Sequence, residues 1–555
     1  MLGATIETLA TQRVQRNPPA TWRISCRCHP ARGLAMHHDR ITDCRSTWPP
    51  LRCMRTRQRF VSTFLTMLLL ASPALAATPS AFAPLADAIR QFKADTVHPT
   101  GTAVVVVKDG KVAYEGYFGY ADIAGKVPVD RDTAFYIASA TKPFVALHAL
   151  LGEHAGTIDT RTSLQAMFPV ARFDGFDAGA VTLRDLLVHT SGVENVPLVW
   201  ATAYSGVHDA ASRRRLAAAT HAHPDAARGT FEYANVGYNL YSIWLDGRSD
   251  ADWQAQLQRD VFVPLGMLRT TASISRAGSS GWTLARPYSF AAANRDAPLY
   301  LDKADNTMHA AGGLLSTAPD LARFLMAQLD EGRVEGEQRL PASVVAGSQQ
   351  RQATTDDSYL DFQRDGYAWG WHTGHYKSRR MLHHFGSFPG FHAHLSFIPE
   401  ADVGLVVLHN EDMLGARLAG LVADFAYGIA LGEPGIEAKA SARFDDLAKQ
   451  ARKLEKAALA HRQEIASRPW RLTLPRTAYA GTYAHPLLGE ITIALAGEDA
   501  LAFRWGRLAA TATGYPDPDH VRVELVPNSG HVVAFGLAHG AVATLQLDGM
   551  TFAKR

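Results

Sequence analysis

Beyond residue 53 the chain has no cysteine: its four, Cys26, Cys28, Cys44 and Cys53, all lie near the start. Whatever folds after that point does so without disulfides and without thiolate chemistry. Cys26 and Cys28 stand beside His29, but no second pair follows at zinc spacing, so no metal is expected there. Strong charge of one sign is also missing. A net charge of +3 over 555 residues gives no electrostatic footprint for nucleic acid. No tandem repeat and no low-complexity tract interrupts the chain. With 47% hydrophobic and 20% charged residues, both wholesale disorder and a multi-span membrane protein are excluded.

Lysine is absent from residues 1–76, which hold eleven arginines and three acidic residues, a net of +8. The remaining 479 residues hold 45 basic and 50 acidic residues, a net of −5. Two different pieces of sequence are joined here. Met54 opens a second start, followed by Arg55, Arg57 and Arg59 and the apolar stretch Phe60–Ser72. Ala74-Leu75-Ala76 then fits a signal-peptidase site. The apolar stretch is shorter than the ~20 residues that span a bilayer. Residues 54–76 therefore read as a signal peptide and 1–53 as an over-extended, disordered start. The expected protein is secreted, periplasmic and without a stable membrane span after cleavage.

Thr102–Lys108 (TAVVVVK) and Lys111–Tyr117 flank Asp109-Gly110, a strong hairpin signal because both turn residues tolerate positive φ. A second hairpin is expected at 392–398 and 403–409. Between them the chain reads mainly as helices. Thr182 with Asp185, and Thr317 with Asp320, form capping boxes. The spacing predicts an antiparallel sheet built from both ends of a domain over 80–435, with a helical insert, an α/β (α+β) class. Phe444, Leu447, Ala451, Leu454 and Ala458 predict a helical linker over 436–468. Period-two alternation in Ile491/Ile493/Leu495, Leu501/Phe503/Trp505 and Val521/Val523/Leu525 predicts a small C-terminal antiparallel β domain, barrel-like, over 469–555.

Ser139-Ala140-Thr141-Lys142 is the single S-x-x-K of the chain. On a helix, positions i and i+3 share a face, so an amine can reach the hydroxyl and take its proton. Alone this pattern is weak. Two later motifs support it: Tyr233-Ala234-Asn235, and His384-Phe385-Gly386 followed by Ser387. Order and content resemble the serine β-lactamase and penicillin-binding-protein superfamily, in the branch of class C β-lactamases, D-aminopeptidases and family VIII esterases. LLVHTSG at 186–192, PLGM at 264–267 and AGGLLSTAPDLARF at 311–324 extend the likeness over roughly residues 85–430.

The resemblance implies a β-lactamase-like fold and a serine hydrolase that needs no cofactor and no metal. It implies Ser139 as acylated nucleophile, Lys142 as base, and Tyr233 as proton shuttle. The backbone N–H groups of Ser139 and Ser387 are implied as the oxyanion hole, and Asn235, His384 and Gly386 as substrate-binding. One departure bears on the substrate. Penicillin-hydrolysing relatives mostly carry lysine where this chain has His384. Histidine, with a pKa near ~6.5, is mostly neutral at pH 7. That favours an esterase or peptidase-like enzyme on a small or peptide-like ester or amide. The rivals are a true β-lactamase or D-Ala-directed peptidase, and a non-catalytic binding member of the fold. His189 reads as structural, His383 as lying on the opposite strand face, His221 and His223 as loop residues, and Arg213–Arg215 as a solvated helix face. Trp369 and Trp371 fit either the cleft or the core.

Overall fold

The computed structural model describes residues 81–497 and 500–555; the expected signal peptide and over-extended start lie outside them. One sheet organises the larger part. Its strands are β1 (Thr102–Lys108), β2 (Lys111–Phe118), β3 (Ala353–Tyr359), β4 (Phe362–Tyr367), β5 (His372–Tyr376), β6 (Arg379–Phe388), β7 (Phe391–Ile398) and β8 (Val403–His409). They pair antiparallel in the order β3-β4-β5-β6-β7-β8-β1-β2. The first hairpin thus docks onto the last strand, from Thr102↔His409 to Lys108↔Val403. Its turn has φ of 51° at Asp109 and 70° at Gly110, as the Asp-Gly pair requires.

β1 reads as an unbroken apolar run because both of its faces are covered. Ala103, Val105 and Val107 pack into the core shared with Leu321 and Phe324 of the helix Ala318–Leu329. Val104 and Val106 pack with Ile89 and Leu418, from the helices Ala83–Asp95 and Met413–Ala430. The insert between β2 and β3 is mainly helical. Thr182 and Asp185 cap each other reciprocally. Thr317 caps its helix through the Asp320 N–H, but the expected reciprocal bond is absent. The Asp320 carboxylate accepts instead from the Arg269 N–H and the Thr270 hydroxyl, both at 2.8 Å. A tertiary contact has taken over a local one.

Residues Ile436–Ser467 form one long helix, with Phe444, Leu447, Ala451 and Ala458 buried. After it comes a nine-stranded antiparallel sheet over 481–554. The two edge strands in its order, Leu508–Thr511 and Thr513–Gly514, are separated in sequence by Ala512 alone. That short link holds the edges together and curls the sheet into a barrel-like body around Ile491, Ile493, Phe503 and Trp505. Leu495 departs from the expected triad and is 45% exposed. The body docks on the helical insert. Trp505 stacks on Trp200 at 5.2 Å, the Trp200 indole donates to Asp548 at 3.1 Å, and the Arg507 N–H donates to the Ser205 carbonyl at 3.0 Å. Gly506, at φ 56°, allows this approach, since a Cβ there would lie 2.2 Å from the Ser205 oxygen.

Trp371 packs between Phe324 and Phe397 in the core, and Trp369 is also buried. Arg213 is not merely solvated: it pairs with Asp246 at 3.0 Å.

The face of the sheet under the Met413–Ala430 helix carries a row of buried histidines. Burial holds His392 down to about 4 and His394 down to about 3. In the unfolded chain both titrate near ~6.5. The unfolded state therefore takes up protons first as pH falls, at about 1.4 kcal/mol of lost stability per pH unit for each histidine. The melting temperature should be level above pH 7 and fall steadily from pH 6.5 to 4. A melting temperature independent of pH over that interval would contradict neutral burial of these rings.

Candidate active site

Ser139 lies in a 3-10 turn, Ala138–Thr141, and Lys142 opens the following helix, Lys142–His154. The turn is pinned by the Ile137 N–H on the Leu314 carbonyl at 3.0 Å and the Ala140 N–H on the Ile137 carbonyl at 3.1 Å. Ala138, just before the serine, has φ of 45°. A side-chain-bearing residue in that region costs about 1–2 kcal/mol, so the surrounding contacts enforce the turn.

β6 presses against this turn. A Cβ at Gly386 would lie 1.9 Å from the Ile137 carbonyl oxygen and 3.1 Å from the Ala140 nitrogen, so only glycine fits. Gly370 does the same for the loop beyond β4: at φ 81°, its missing Cβ would lie 2.5 Å from Pro143.

Lys142 is fully buried. Its Nζ lies 2.7 Å from the Ala311 carbonyl, 2.9 Å from Asn235 Oδ1 and 3.2 Å from Ser139 Oγ. The faces of Tyr233 and Tyr238 lie 4.7 Å and 5.5 Å from it. Burial pushes the amine far below its ordinary value, and no carboxylate among the described residues pairs with it. Two of the three polar neighbours can only accept. A neutral amine satisfies both with its two protons and turns its lone pair to the third, the serine hydroxyl.

Tyr233 and Asn235 come from the loop before the helix Val236–Asp246. His189 clamps that loop: its carbonyl accepts from the Glu232 N–H at 2.8 Å and its Nδ1 from the Ala234 N–H at 3.1 Å. Its ring lies 4.5 Å from that of Tyr233. His189 is therefore a positioning residue, as its sequence context suggested. Burial raises the pKa of the Tyr233 hydroxyl above the ordinary phenol value. Sequence left open whether the amine or the phenolate is the base. Burial pushes the two groups in opposite directions, the amine toward its neutral form and the phenol away from its phenolate.

His384 differs from expectation. It is 1% exposed, its Nδ1–H donates to the Phe385 carbonyl at 2.8 Å, and its Nε2 accepts from the Tyr367 hydroxyl at 3.3 Å. Both nitrogens are engaged, so it holds the cleft wall through Tyr367 instead of reaching for substrate. Burial holds its pKa well below the ordinary imidazole value, keeping it neutral. His383 packs its ring against Phe362 and Phe385, on the strand face opposite to that of His384. Ser387 is exposed at the end of β6, its Oγ 3.1 Å from His392 Nδ1. β5 pairs with β6 only as far as His372↔His383, which leaves residues 384–388 without a strand partner on that side.

The Beta-lactamase family matches residues 85–424. The chain belongs to that family. Among curated members, it is 26% identical over 446 residues to the unguisins hydrolase ungD of Aspergillus violaceofuscus, covering 74% of this chain and 76% of that protein. It is 28% identical over 179 residues to penicillin-binding protein 4* of Bacillus subtilis, covering 31% of this chain and 38% of the other. Among solved structures, the octameric penicillin-binding protein homologue from Pyrococcus abyssi aligns with a TM-score of 0.53 at 20% identity, over 85% of this chain and 99% of that one. That likeness shows the fold.

As a Beta-lactamase-family hydrolase, the chain brings Ser139, Lys142, Tyr233, Asn235 and Gly386 to one place. Several neighbours were not singled out from sequence: Tyr238, Tyr367, His372 and the Ala311 carbonyl. Ala311 opens the AGGLL stretch, so its motif was visible although a backbone oxygen carries the role. Tyr238 stands one helical turn past Asn235, a spacing that could have exposed it. Gly386→Ala should lower kcat/KM at least about a hundredfold, the usual cost of misplacing a reacting group by ~1 Å, while the circular dichroism spectrum is kept. Near-normal activity of that variant would contradict the observed contact between β6 and the serine turn.

Proposed function

We propose that this protein is a secreted, periplasmic serine hydrolase, esterase or peptidase-like, that cleaves an ester or amide through an acyl-Ser139 intermediate. The observation that carries the reading is the Lys142 amine, 3.2 Å from Ser139 Oγ with its other two polar neighbours both carbonyl oxygens. The serine proton passes to Nζ as Oγ attacks the substrate carbonyl carbon. The negative oxygen that forms is held by the backbone N–H groups of Ser139 and Ser387; one such donor typically contributes about 2.7–4 kcal/mol. The C–O or C–N bond then breaks, and the departing group receives a proton through the Tyr233 hydroxyl. Water repeats the sequence in reverse and releases the acid.

Asn235 gives Oδ1 to Lys142, and among the described residues its amide N–H groups meet no protein acceptor, so they can meet a substrate carbonyl. The unpaired edge at 384–388 can take an extended substrate beside Gly386. Secretion is supported by the basic, apolar and small-residue order of residues 54–76. The absence of a cation on the third motif supports ester or peptide substrates over penicillins. Some relatives carry names pointing to unguisins or penicillin, and a substrate panel separates these.

Fluorophosphonate should label the wild type and fail to label Ser139→Ala. Lys142→Arg, always protonated, should label at least about a thousandfold more slowly. Labelling that survives Ser139→Ala would overturn the reading. Turnover of p-nitrophenyl esters or amino-acid amides well above that of a β-lactam is the expected order, and the reverse order would move the assignment to a β-lactamase.

A further inference from the structure

A turn of the barrel-like body reaches the hairpin that carries the third motif. Residues 526–529 are closed by the Ser529 N–H and hydroxyl, which both donate to the Val526 carbonyl, at 3.1 Å and 2.6 Å. Asn528 stands in this turn at φ 63°, a left-handed conformation in which asparagine is enriched. Its amide nitrogen spends both protons on the hydrolase domain: one on Ser289 Oγ at 2.9 Å, the other on Asp412 Oδ2 at 3.4 Å. The Tyr300 hydroxyl, which donates to the Leu525 carbonyl, seats the same stretch.

Both acceptors belong to segments that hold Gly390. The register Ser387↔His392 and Phe388↔Phe391 leaves Pro389 and Gly390 as the turn between β6 and β7. The Gly390 N–H donates to the same Asp412 oxygen at 3.1 Å. A Cβ at Gly390 would lie 2.2 Å from Pro287 Cβ, so the turn is pressed onto the loop that contains Ser289. Phe388 and Phe391, the pair that closes the turn, set their rings edge-on to Tyr136 at 5.2 Å and 5.8 Å, three residues before Ser139. Moving this turn therefore moves Ser387 against the serine turn. Asp412 needs its donors. Its Oδ1 is buried with no hydrogen-bond partner among the described residues, and burial, with the charge of Glu411 beside it, lifts its pKa to about 7.

We propose that Asn528 is a positioning residue for the hydrolase reaction: by tying the Ser289 and Asp412 segments together around Gly390, it fixes the β6–β7 turn and the Ser387 N–H that receives the oxyanion. The inference rests on the acyl-serine reading. It gives the barrel-like body a part in catalysis, exerted through the third-motif hairpin and without touching substrate.

Asn528→Gly keeps the left-handed backbone and removes the amide. With a p-nitrophenyl ester, kcat should fall about tenfold while KM stays within twofold. Affinity for a boronic acid, whose adduct with Ser139 places an oxygen in the oxyanion hole, should fall by the same factor. At pH 8.5, Asn528→Asp sets two carboxylates against each other and should lower kcat further. Adding Asp412→Asn to it restores a donor facing an acceptor in reverse and should recover most of the loss. Wild-type kcat and boronic-acid affinity in Asn528→Gly would overturn the proposal even if its melting temperature fell, because a merely structural contact predicts that result. A double variant no faster than Asn528→Asp would also overturn it, and this comparison decides the matter if Asn528→Gly does not fold. Ser139→Ala run beside these variants separates the two levels. Hydrolysis persisting there removes the acyl-serine reading itself, whereas its loss there with an unchanged Asn528→Gly removes only the role of Asn528.

Discussion

The site depends on keeping one amine out of water. Lys142 has two carbonyl oxygens and a hydroxyl around it and, among the described residues, no carboxylate to hold it charged. A protonated amine there would carry a full charge into an apolar core, which burial strongly disfavours. A neutral amine meets every neighbour with what each can accept or give. The facing rings of Tyr233 and Tyr238 offset part of the penalty for the proton that arrives during catalysis. The same burial makes Tyr233 a poor phenolate and holds it as a neutral phenol.

The rest of the fold supplies that burial and fixes the serine beside it. Each neighbour of Lys142 comes from a different part of the chain: Ala311 from the end of the insert, Asn235 from a loop clamped by His189, Ser139 from a turn gripped by β6. The sheet ties the two ends of the domain together through β1 and β8, and β6 brings the third motif against the serine turn. The barrel-like body adds a further clamp through Trp200 and Ser205, next to Tyr204, whose ring stacks on Phe388 at 5.9 Å. A path of packed rings thus links that body to the end of β6.

Much of this was legible in the sequence because the signals are local. The Asp-Gly turn, the Thr182 cap, the period of the long helix and the alternation of the last strands each depend on residues within a few positions. The three catalytic motifs were legible because their order is itself information. What escaped was set by distance along the chain. Asp320 left its own helix cap for Arg269 and Thr270, and no spacing rule contains that contact. His384 occupies the place of a substrate-binding lysine, yet Tyr367 and the Phe385 carbonyl take both its nitrogens. Leu495 fell outside the barrel interior because it lies at the end of its strand, where alternation no longer faces a core.

The protonation state of Lys142 is the point on which the chemistry turns, and it can be read directly. Lysine labelled with carbon-13 at the ε position would be followed by NMR from pH 5 to 11 in the whole protein, with the Lys142 signal assigned by its loss in Lys142→Met. A signal already at its neutral position at pH 8, far below the ordinary lysine midpoint of ~10.4, is the expected result. A Lys142 signal that stays at the charged position up to pH 10 would contradict the mechanism at its base.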